Sequence, residues 1–151
     1  MGWDFVHVAI DDASRVGYVE ILEDERADTA IGFLRRAVGW FAGQGVTIER
    51  VMSDNGVAYR SHAFADECRA LTVAHKRTRP YTPRTNGKAE RFIQTLLREW
   101  AYRFAYPTSH ERRELLPRFL HVYNYHRAHT ALGYQPPISR LHGNNALTRD
   151  T

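Results

Sequence analysis

The order of strand-like and helix-like segments is the feature that most constrains the fold of this chain. Segments rich in β-branched and aromatic residues predict strands over residues 4–10, 16–23, 47–53 and 72–76. Apolar residues at helical spacing predict helices over residues 27–42, 62–71, 87–106 and 109–125. The resulting order, β-β-α-β-α-β-α-α, predicts an α/β domain whose sheet mixes antiparallel and parallel strands.

Local signals refine this prediction at four points. The polar turn 11–15 is expected to join the first two strands as a hairpin. Ser61 is expected to cap the second helix, because a serine side chain can accept a bond from an N–H group at a helix start. Pro117 is expected to kink or split the last helix, because proline has no backbone N–H. The tail from Thr130 is expected to be mostly irregular.

Length, charge and cysteine content exclude several classes of protein. With 151 residues, the chain is expected to form a single domain over residues 1–151. The net charge of +4 favours a polyanionic partner, and the single cysteine, Cys68, allows no internal disulfide and indicates a reducing compartment. No apolar run reaches the length of a membrane span, and the N-terminal segment resembles no signal peptide. We therefore expect a cytoplasmic protein that faces nucleic acid and not a membrane.

A candidate acidic site lies where the third predicted strand ends. The strand leads directly into Asp54, Asn55 and Gly56. In open α/β sheets, ligands bind outside the carboxyl ends of the strands, which is where the Asp54 carboxylate would lie. The alternative is that these three residues form only a turn, which their types favour without any ligand.

A second candidate acid, Glu90, lies in the first turn of the third predicted helix. Projection at about 100° per residue gives an apolar face, which consists of Ala89, Ile93, Leu96, Leu97, Trp100 and Phe104. The opposite face is basic and consists of Lys88, Arg91 and Arg98. Glu90 and Gln94 lie on the border between the two faces. Glu90 is therefore placed to reach the edge of the sheet, or it only complements the helix dipole from the surface.

Asp54 and Glu90 are separated by 35 residues and belong to a longer pattern, in which the second acid lies within Asn-Gly-Lys-Ala-Glu-Arg. This pattern resembles the catalytic core of the DDE integrases and insertion-sequence transposases. Other stretches that resemble the same family are residues 9–15, 79–83, 123–129, 131–134 and 136–137. The resemblance spans nearly the whole chain and implies a ribonuclease H-like α/β fold, with a mixed sheet flanked by helices.

The resemblance also implies a chemistry: DNA transposition or integration, by metal-dependent cleavage and strand transfer at phosphodiesters. Three carboxylates hold two Mg²⁺ or Mn²⁺ ions in such a site, and Asp54 and Glu90 match two of the three as catalytic residues and metal ligands. The cations near Glu90 are then expected to contact DNA phosphates; these are Lys76, Arg77, Arg79, Arg84, Lys88 and Arg91. The implied partners are transposon ends and target DNA, bound by a homo-oligomer at the nucleoid of a bacterial cytoplasm.

The first aspartate of the family pattern has no match in this sequence. In the family it lies on a central strand that precedes the stretch beginning here at Gly2, whereas Asp4 has the wrong sequence context and Asp11 and Asp12 lie in the hairpin turn. We therefore expect a core that lacks its N-terminal, central strand. Loss of that strand would expose backbone groups of its two neighbours, and the two remaining carboxylates are expected to form a poor catalyst.

Two alternatives to a transposase or integrase core remain open. One is a non-catalytic DNA-binding or assembly remnant that keeps the fold and the basic face. The other is a ribonuclease H-like nuclease outside transposition, which the transposase-like segment 123–137 disfavours.

Several residues that suggest other functions have simpler interpretations. His121, His126 and His129 are disfavoured as a zinc site, because no pair of cysteines accompanies them. The aromatic residues Trp100, Tyr123 and Tyr125 are expected to pack in the core or at a docking surface. Cys68 is expected to be a small buried hydrophobic residue.

Overall fold

The computed structural model of the chain describes residues 5–78, 87–101 and 109–142. Its contacts divide the chain into two compact units. The first unit consists of Met1–His7 and Glu20–Gly87, and the second of Val8–Val19 and Lys88–Thr151. Among the described residues, no helix has the length and apolar character needed to cross a membrane.

Four strands form two pairs. Strands β1 (Phe5–Ile10) and β2 (Gly17–Leu22) pair with each other, and β3 (Arg50–Ser53) pairs with β4 (Ala74–Arg77). The β3–β4 pair is parallel, whereas the short connection between β1 and β2 permits only antiparallel pairing. The predicted mixture of orientations is therefore confirmed. Within the described residues the two pairs share no ladder and form two two-stranded sheets.

The hairpin turn between β1 and β2 is closed by hydrogen bonds around Asp11. The Asp11 N–H donates to the carbonyl of Val16 at 2.9 Å, and the Arg15 N–H donates to the carbonyl of Asp11 at 2.8 Å. The Asp11 carboxylate accepts from both the backbone N–H and the hydroxyl of Ser14, at 3.0 and 2.6 Å. Asp11 is thus occupied as a turn residue, as the sequence placed it.

The core of the first unit forms where two helices pack together. Helix α1 (Ala27–Gly43) packs against α2 (His62–Ala70) and the 3₁₀ turn Val57–Arg60. The buried residues of this core are Ala30, Leu34, Ala58, Phe64 and Cys68. Burial of Cys68 confirms its predicted role, and the Ser61 hydroxyl accepts from the Phe64 N–H at 3.1 Å, which confirms the predicted helix cap.

The second unit contains the remaining helices. Helix α3 (Gly87–Leu96) continues as a π-helical turn, Leu97–Ala101, and it is followed by α4 (Ser109–Tyr125) and the short α5 (Ser139–His142). Pro117 was predicted to kink or split the last long helix; it does not split it, because α4 runs through it, and a kink stays a prediction. A proline removes one backbone donor, and the helix continues on both sides of it. The predicted helical residues 102–106 lie outside the described residues.

The buried face of α3 differs from the predicted one. Phe92 is only 1% exposed, although the helical projection did not place it on the apolar face, whereas Ile93 and Leu97 are each 40% exposed. Long-range packing explains the difference, because the Phe92 ring lies 4.8 Å from that of Tyr123 and closely approaches the backbone of Gly17. The burial of Trp100 and Tyr123 confirms that both aromatic residues belong to the core.

A pair of hydrogen bonds joins the start of β2 to the end of α4 within the second unit. The Gly17 N–H donates to Oδ1 of Asn124 at 2.8 Å, and the Asn124 amide donates to the carbonyl of Gly17 at 2.9 Å. Asn124 is 2% exposed, so both of its polar groups are satisfied away from water. In turn, the Ile138 N–H donates to the backbone carbonyl of Asn124 at 2.8 Å.

Substitution of Gly17 tests this packing. A Cβ atom at Gly17 would lie 2.4 Å from Cζ of Phe92, so Gly17→Ala is expected to lower the free energy of unfolding by about 1–3 kcal/mol through overpacking. The matched control is Gly39→Ala in α1, where a Cβ atom meets nothing within 4 Å. This control is expected to be neutral or to stabilise by up to about 1 kcal/mol, because alanine favours helix. Urea denaturation measures both, and equal stability of the two variants would contradict the described contact.

Candidate active site

Asp54 immediately follows the carboxyl end of β3 and is exposed. Its carboxylate oxygen Oδ1 accepts a hydrogen bond from the Gly56 N–H at 2.7 Å, which is the bond expected of an Asp in a turn. The turn interpretation and the site interpretation therefore both apply to Asp54. The turn fixes one carboxylate oxygen, and the exposed group still has lone pairs that can accept a further partner.

A partly buried pair of polar side chains supports the backbone at Asp54. The Ser53 hydroxyl lies 3.0 Å from the carbonyl of Asp54, to which it donates, and 2.7 Å from Nε2 of His75. The ring of His75 packs edge-on against Phe64 at 4.9 Å. Burial, and to a smaller extent Arg77, lowers the pKa of His75, so the ring is neutral near pH 7. The sequence analysis did not identify this pair, because its members lie on different strands.

Asn55 connects the Asp54 turn to the end of β4. Its amide donates to the carbonyl of Thr78 at 2.6 Å, and the Thr78 N–H donates to the carbonyl of Ser53 at 2.8 Å. Residues 79–86 follow directly and lie outside the described residues, so the structure does not describe the predicted DNA contacts Arg79 and Arg84.

Glu90 lies in the first turn of α3, as predicted, and its side chain is exposed. It belongs to the second unit, whereas Asp54 belongs to the first. Their approach to a common metal ion, at roughly 4–8 Å between carboxylates before the metal binds, therefore stays a prediction. Within the described residues, no group of three or more His, Cys, Asp or Glu side chains could hold a metal ion.

The predicted DNA-contacting cations differ in their surroundings. Lys76 and Arg77 are exposed on β4, and Arg91 is exposed on α3. The ammonium group of Lys88, in contrast, forms an ion pair with the Asp12 carboxylate at 2.7 Å and donates to the Asp12 carbonyl at 3.0 Å. Asp12 thus offsets the charge of Lys88. This ion pair was not predicted from the sequence, because its two residues are 76 positions apart.

A cavity of about 420 Å³ lies entirely within the second unit. We call it the basic cavity, because its polar wall includes Arg15, Lys88, Arg91, Arg98, Arg127 and His129. Of these, only Lys88 and Arg91 were predicted to contact DNA. Arg15, Arg98 and Arg127 were not, because the turn, α3 and the segment after α4 meet only in the folded chain.

The remaining histidines are engaged with aromatic rings. The ring of His121 stacks on Tyr125 at 4.7 Å and lies 5.2 Å from the ring of His126. His129 packs edge-on against Tyr123 at 5.0 Å.

Comparison with known proteins identifies related families and folds. Two family models, each described as an integrase core domain, match residues 1–83 and residues 71–137. The putative integrase ORF3 of Spiroplasma virus SpV1-C74 is 23% identical over 150 residues, covering 91% of this chain and 41% of that protein. The transposase InsD for insertion element IS2A/D/F/H/I/K of Escherichia coli is 31% identical over 90 residues, covering 60% of this chain and 30% of its own length. The chain therefore spans less than half the length of these curated relatives.

Solved structures give the same result for the fold. A chain of the simian T-cell lymphotropic virus intasome, determined in complex with the PP2A regulatory subunit B56 gamma, matches with a TM-score of 0.76 and 25% identity, over 97% of this chain and 50% of that one. The catalytic core domain of BIV integrase matches with a TM-score of 0.70 and 21% identity, over 98% of this chain and 93% of that one. The predicted ribonuclease H-like α/β fold is confirmed by these likenesses.

The support that His75 gives to the Asp54 turn can be tested by pH. Because the pKa of His75 is lowered in the folded chain, the unfolded chain takes up the proton first as the pH falls below the ordinary value of 6.5. Stability is therefore expected to be full above that value and to decrease as the pH falls through it. His75→Gln is expected to reduce this decrease and to lower stability by about 1 kcal/mol at neutral pH through the weakened bond to Ser53.

Urea midpoints measured from about pH 8 to about pH 5 check this expectation. The control is His62→Gln, which replaces an exposed histidine at the start of α2. A residual decrease is expected to remain in His75→Gln, because burial also lowers the pKa of His129. Identical pH dependence of His75→Gln and the unmodified chain would contradict the role assigned to His75.

Proposed function

Because this chain belongs to the integrase core domain family, we propose that it acts in DNA transposition or integration, by metal-dependent cleavage and strand transfer at phosphodiesters. The observation that carries the proposal is the exposed Asp54 carboxylate, fixed by the Gly56 N–H immediately after strand β3. The spacing to Glu90 supports it, since it resembles the pattern of the DDE enzymes. The complete reaction requires more residues than Asp54 and Glu90, because the family pattern contains three carboxylates.

Asp54 and Glu90 are proposed as ligands of Mg²⁺ or Mn²⁺. Carboxylate oxygens are the donors that these ions prefer, and both side chains are exposed and bear no ion pair to a described residue. When bound, the metal ions supply charge stabilisation at the attacking and leaving oxygens of the phosphodiester. The chain's own contribution is to hold Asp54 in place through Ser53 and the turn, and to hold Glu90 on a helix.

DNA is the proposed substrate and partner. Exposed cations on α3 and β4 are suited to contact phosphates, which position DNA without reading its sequence. Arg91 is proposed to contribute more than Lys88, because Lys88 is already paired with Asp12. Assembly of several copies on DNA is also proposed, and the likeness to a chain of an intasome supports it.

A second candidate function is DNA binding without catalysis. The observation that favours it is the basic cavity, whose lining residues include neither Asp54 nor Glu90. Metal binding and DNA binding are therefore tested separately below.

The metal-binding prediction concerns the two proposed ligands. Asp54→Asn and Glu90→Gln are each expected to weaken Mn²⁺ binding by about tenfold or more, because each removes a charged oxygen ligand. Asp66→Asn is the matched control, since Asp66 is an exposed acid on α2 that pairs with Arg69. Electron paramagnetic resonance of free Mn²⁺ measures the affinity, and equal affinity in all three variants would exclude Asp54 and Glu90 as ligands.

The same variants test catalysis. Strand transfer by the 151-residue chain is expected to be weak or absent, because only two of the three carboxylates of the pattern are assigned. Any metal-dependent cleavage that is detected should disappear in Asp54→Asn and Glu90→Gln while DNA binding persists. Robust joining by the chain would mean that Asp11, Asp12 or a second copy completes the site.

The DNA-binding prediction concerns the basic side of α3. The double variant Lys88→Glu with Arg91→Glu is expected to weaken binding to any duplex and to reduce the slope of log affinity against log salt by about 0.9 per lost phosphate contact. Arg91→Glu alone is expected to account for most of the change, because Asp12 already neutralises Lys88. Fluorescence anisotropy over a salt series measures the slope. The control replaces Arg118 and Arg140, which are exposed in the same unit, and an equal effect there would mean that only net charge matters.

A further inference from the structure

The basic cavity carries more positive charge than the surrounding acids neutralise. Two of its cations are paired: Lys88 with Asp12 at 2.7 Å, and Arg127 with Glu99 at 3.0 Å. The other three, Arg15, Arg91 and Arg98, have no carboxylate partner among the residues that the structure describes. No aspartate or glutamate is among the residues that line the cavity. Like charges at such close range repel one another, so the cavity is suited to an anion.

A buried nitrogen in the wall of the cavity also lacks a partner. Nε2 of His129 is shielded from solvent and makes no hydrogen bond with any described residue. Such groups are rare in folded proteins, because leaving them unpaired costs about 1–3 kcal/mol. Burial, followed by the charges of Arg127 and Arg15, lowers the pKa of His129. The ring is therefore neutral near pH 7 and adds no positive charge to the cavity.

The size and the apolar wall of the cavity limit the ligand. A volume of about 420 Å³ lies in the range of small-molecule sites, about 300–1,000 Å³, which suits one nucleotide. Ile10, Phe92 and Tyr123 provide apolar surface. Burial raises the pKa of Tyr123 to about 12, so this phenol stays neutral and adds no repulsion to an anion.

The π-helical turn after α3 contributes Arg98 to the wall of the cavity. It begins at Leu97 and so includes Arg98, while Arg91 precedes it by more than one turn of regular helix. Both residues line the same cavity. Single π-helical turns occur frequently at functional sites, where they change the direction of side chains.

We propose that the basic cavity binds an unpaired nucleotide of a DNA strand by its phosphate. Arg91 and Arg98 hold the phosphate, while the apolar wall and His129 accommodate the sugar and base. The inference rests on the proposed function, which identifies the ligand as DNA. Neither Asp54 nor Glu90 lines the cavity. Binding there is therefore independent of metal.

The test compares two DNA probes in the presence of EDTA. One is a blunt duplex, and the other is the same duplex with a short single-stranded 3′ overhang. Fluorescence anisotropy with the full chain is expected to show about tenfold tighter binding of the overhang probe, since an unpaired nucleotide adds a phosphate contact and base contacts. Arg98→Ala is expected to remove this preference, and Arg98→Lys to restore part of it by returning the charge.

The controls separate the cavity from general electrostatics and from folding. Arg118→Ala removes an exposed arginine in α4 that does not line the cavity, and it should keep the preference for the overhang. Arg91→Ala should behave like Arg98→Ala, so the result does not depend on the folding of one variant. Melting temperatures equal to that of the unmodified chain confirm that the variants are folded.

Two outcomes overturn the proposal. One is equal affinity of the unmodified chain for the blunt and overhang probes. The other is an equal loss in Arg98→Ala and Arg118→Ala. If the overhang preference persists while Asp54→Asn and Glu90→Gln leave Mn²⁺ binding unchanged, the proposed metal site fails and the cavity assignment stands. If the preference is absent while those two variants lose Mn²⁺ binding, the cavity assignment fails alone.

Discussion

The second unit depends on the two hydrogen bonds between Asn124 and Gly17. They satisfy both backbone groups of a glycine at the start of β2, with a side chain that is 107 residues away in sequence. Both partners are buried, so an unmade bond at either would cost more than an ordinary hydrogen bond contributes. Phe92 lies close to the same glycine, which leaves no room for a side chain there. One backbone position therefore aligns the hairpin, α3 and α4 within this unit.

In the first unit, hydrogen bonds restrain the exposed carboxylate of Asp54 and the backbone around it. Asp54 follows a four-residue strand, and its backbone, side chain and neighbour are each restrained by a separate hydrogen bond. The Ser53 hydroxyl also contacts His75 on β4, the parallel partner of β3, and the Asn55 amide donates to Thr78, which directly follows β4. Restraint of this kind reduces the entropy that a metal ligand loses on binding. The Asp54 turn is thus held both by the pairing of β3 with β4 and by the hydrogen bond within the turn itself.

Local signals in the sequence predicted the elements, and long-range contacts decided how those elements face one another. The Ser61 cap and the boundaries of α1 and α2 follow from neighbouring residues, so pattern analysis was sufficient for them. The buried face of α3 was predicted incorrectly, because Gly17 and Tyr123 select Phe92 in place of Ile93. Spacing also identified Asp54 and Glu90 as candidates, but it contained no sign of the Ser53–His75 pair, whose members face each other only when β3 and β4 align.

The same distinction applies to charge, and it changes which cations can act on DNA. Sequence alone treats Lys88, Arg91 and Arg98 as equivalent members of one basic face. In the folded chain Asp12 offsets Lys88, whereas no described carboxylate pairs with Arg91 or Arg98. The hairpin turn that supplies Asp12 also supplies Arg15 to the basic cavity. Asp12 therefore lowers the positive electrostatic potential near the start of α3, and Arg15 raises it further along the helix. A polyanion is therefore attracted most strongly beyond the first turn of the helix, and Glu90 lies at the end where the positive field is weaker. If Glu90 binds a metal ion as proposed, this arrangement reduces the competition between that ion and the cations proposed to contact phosphates.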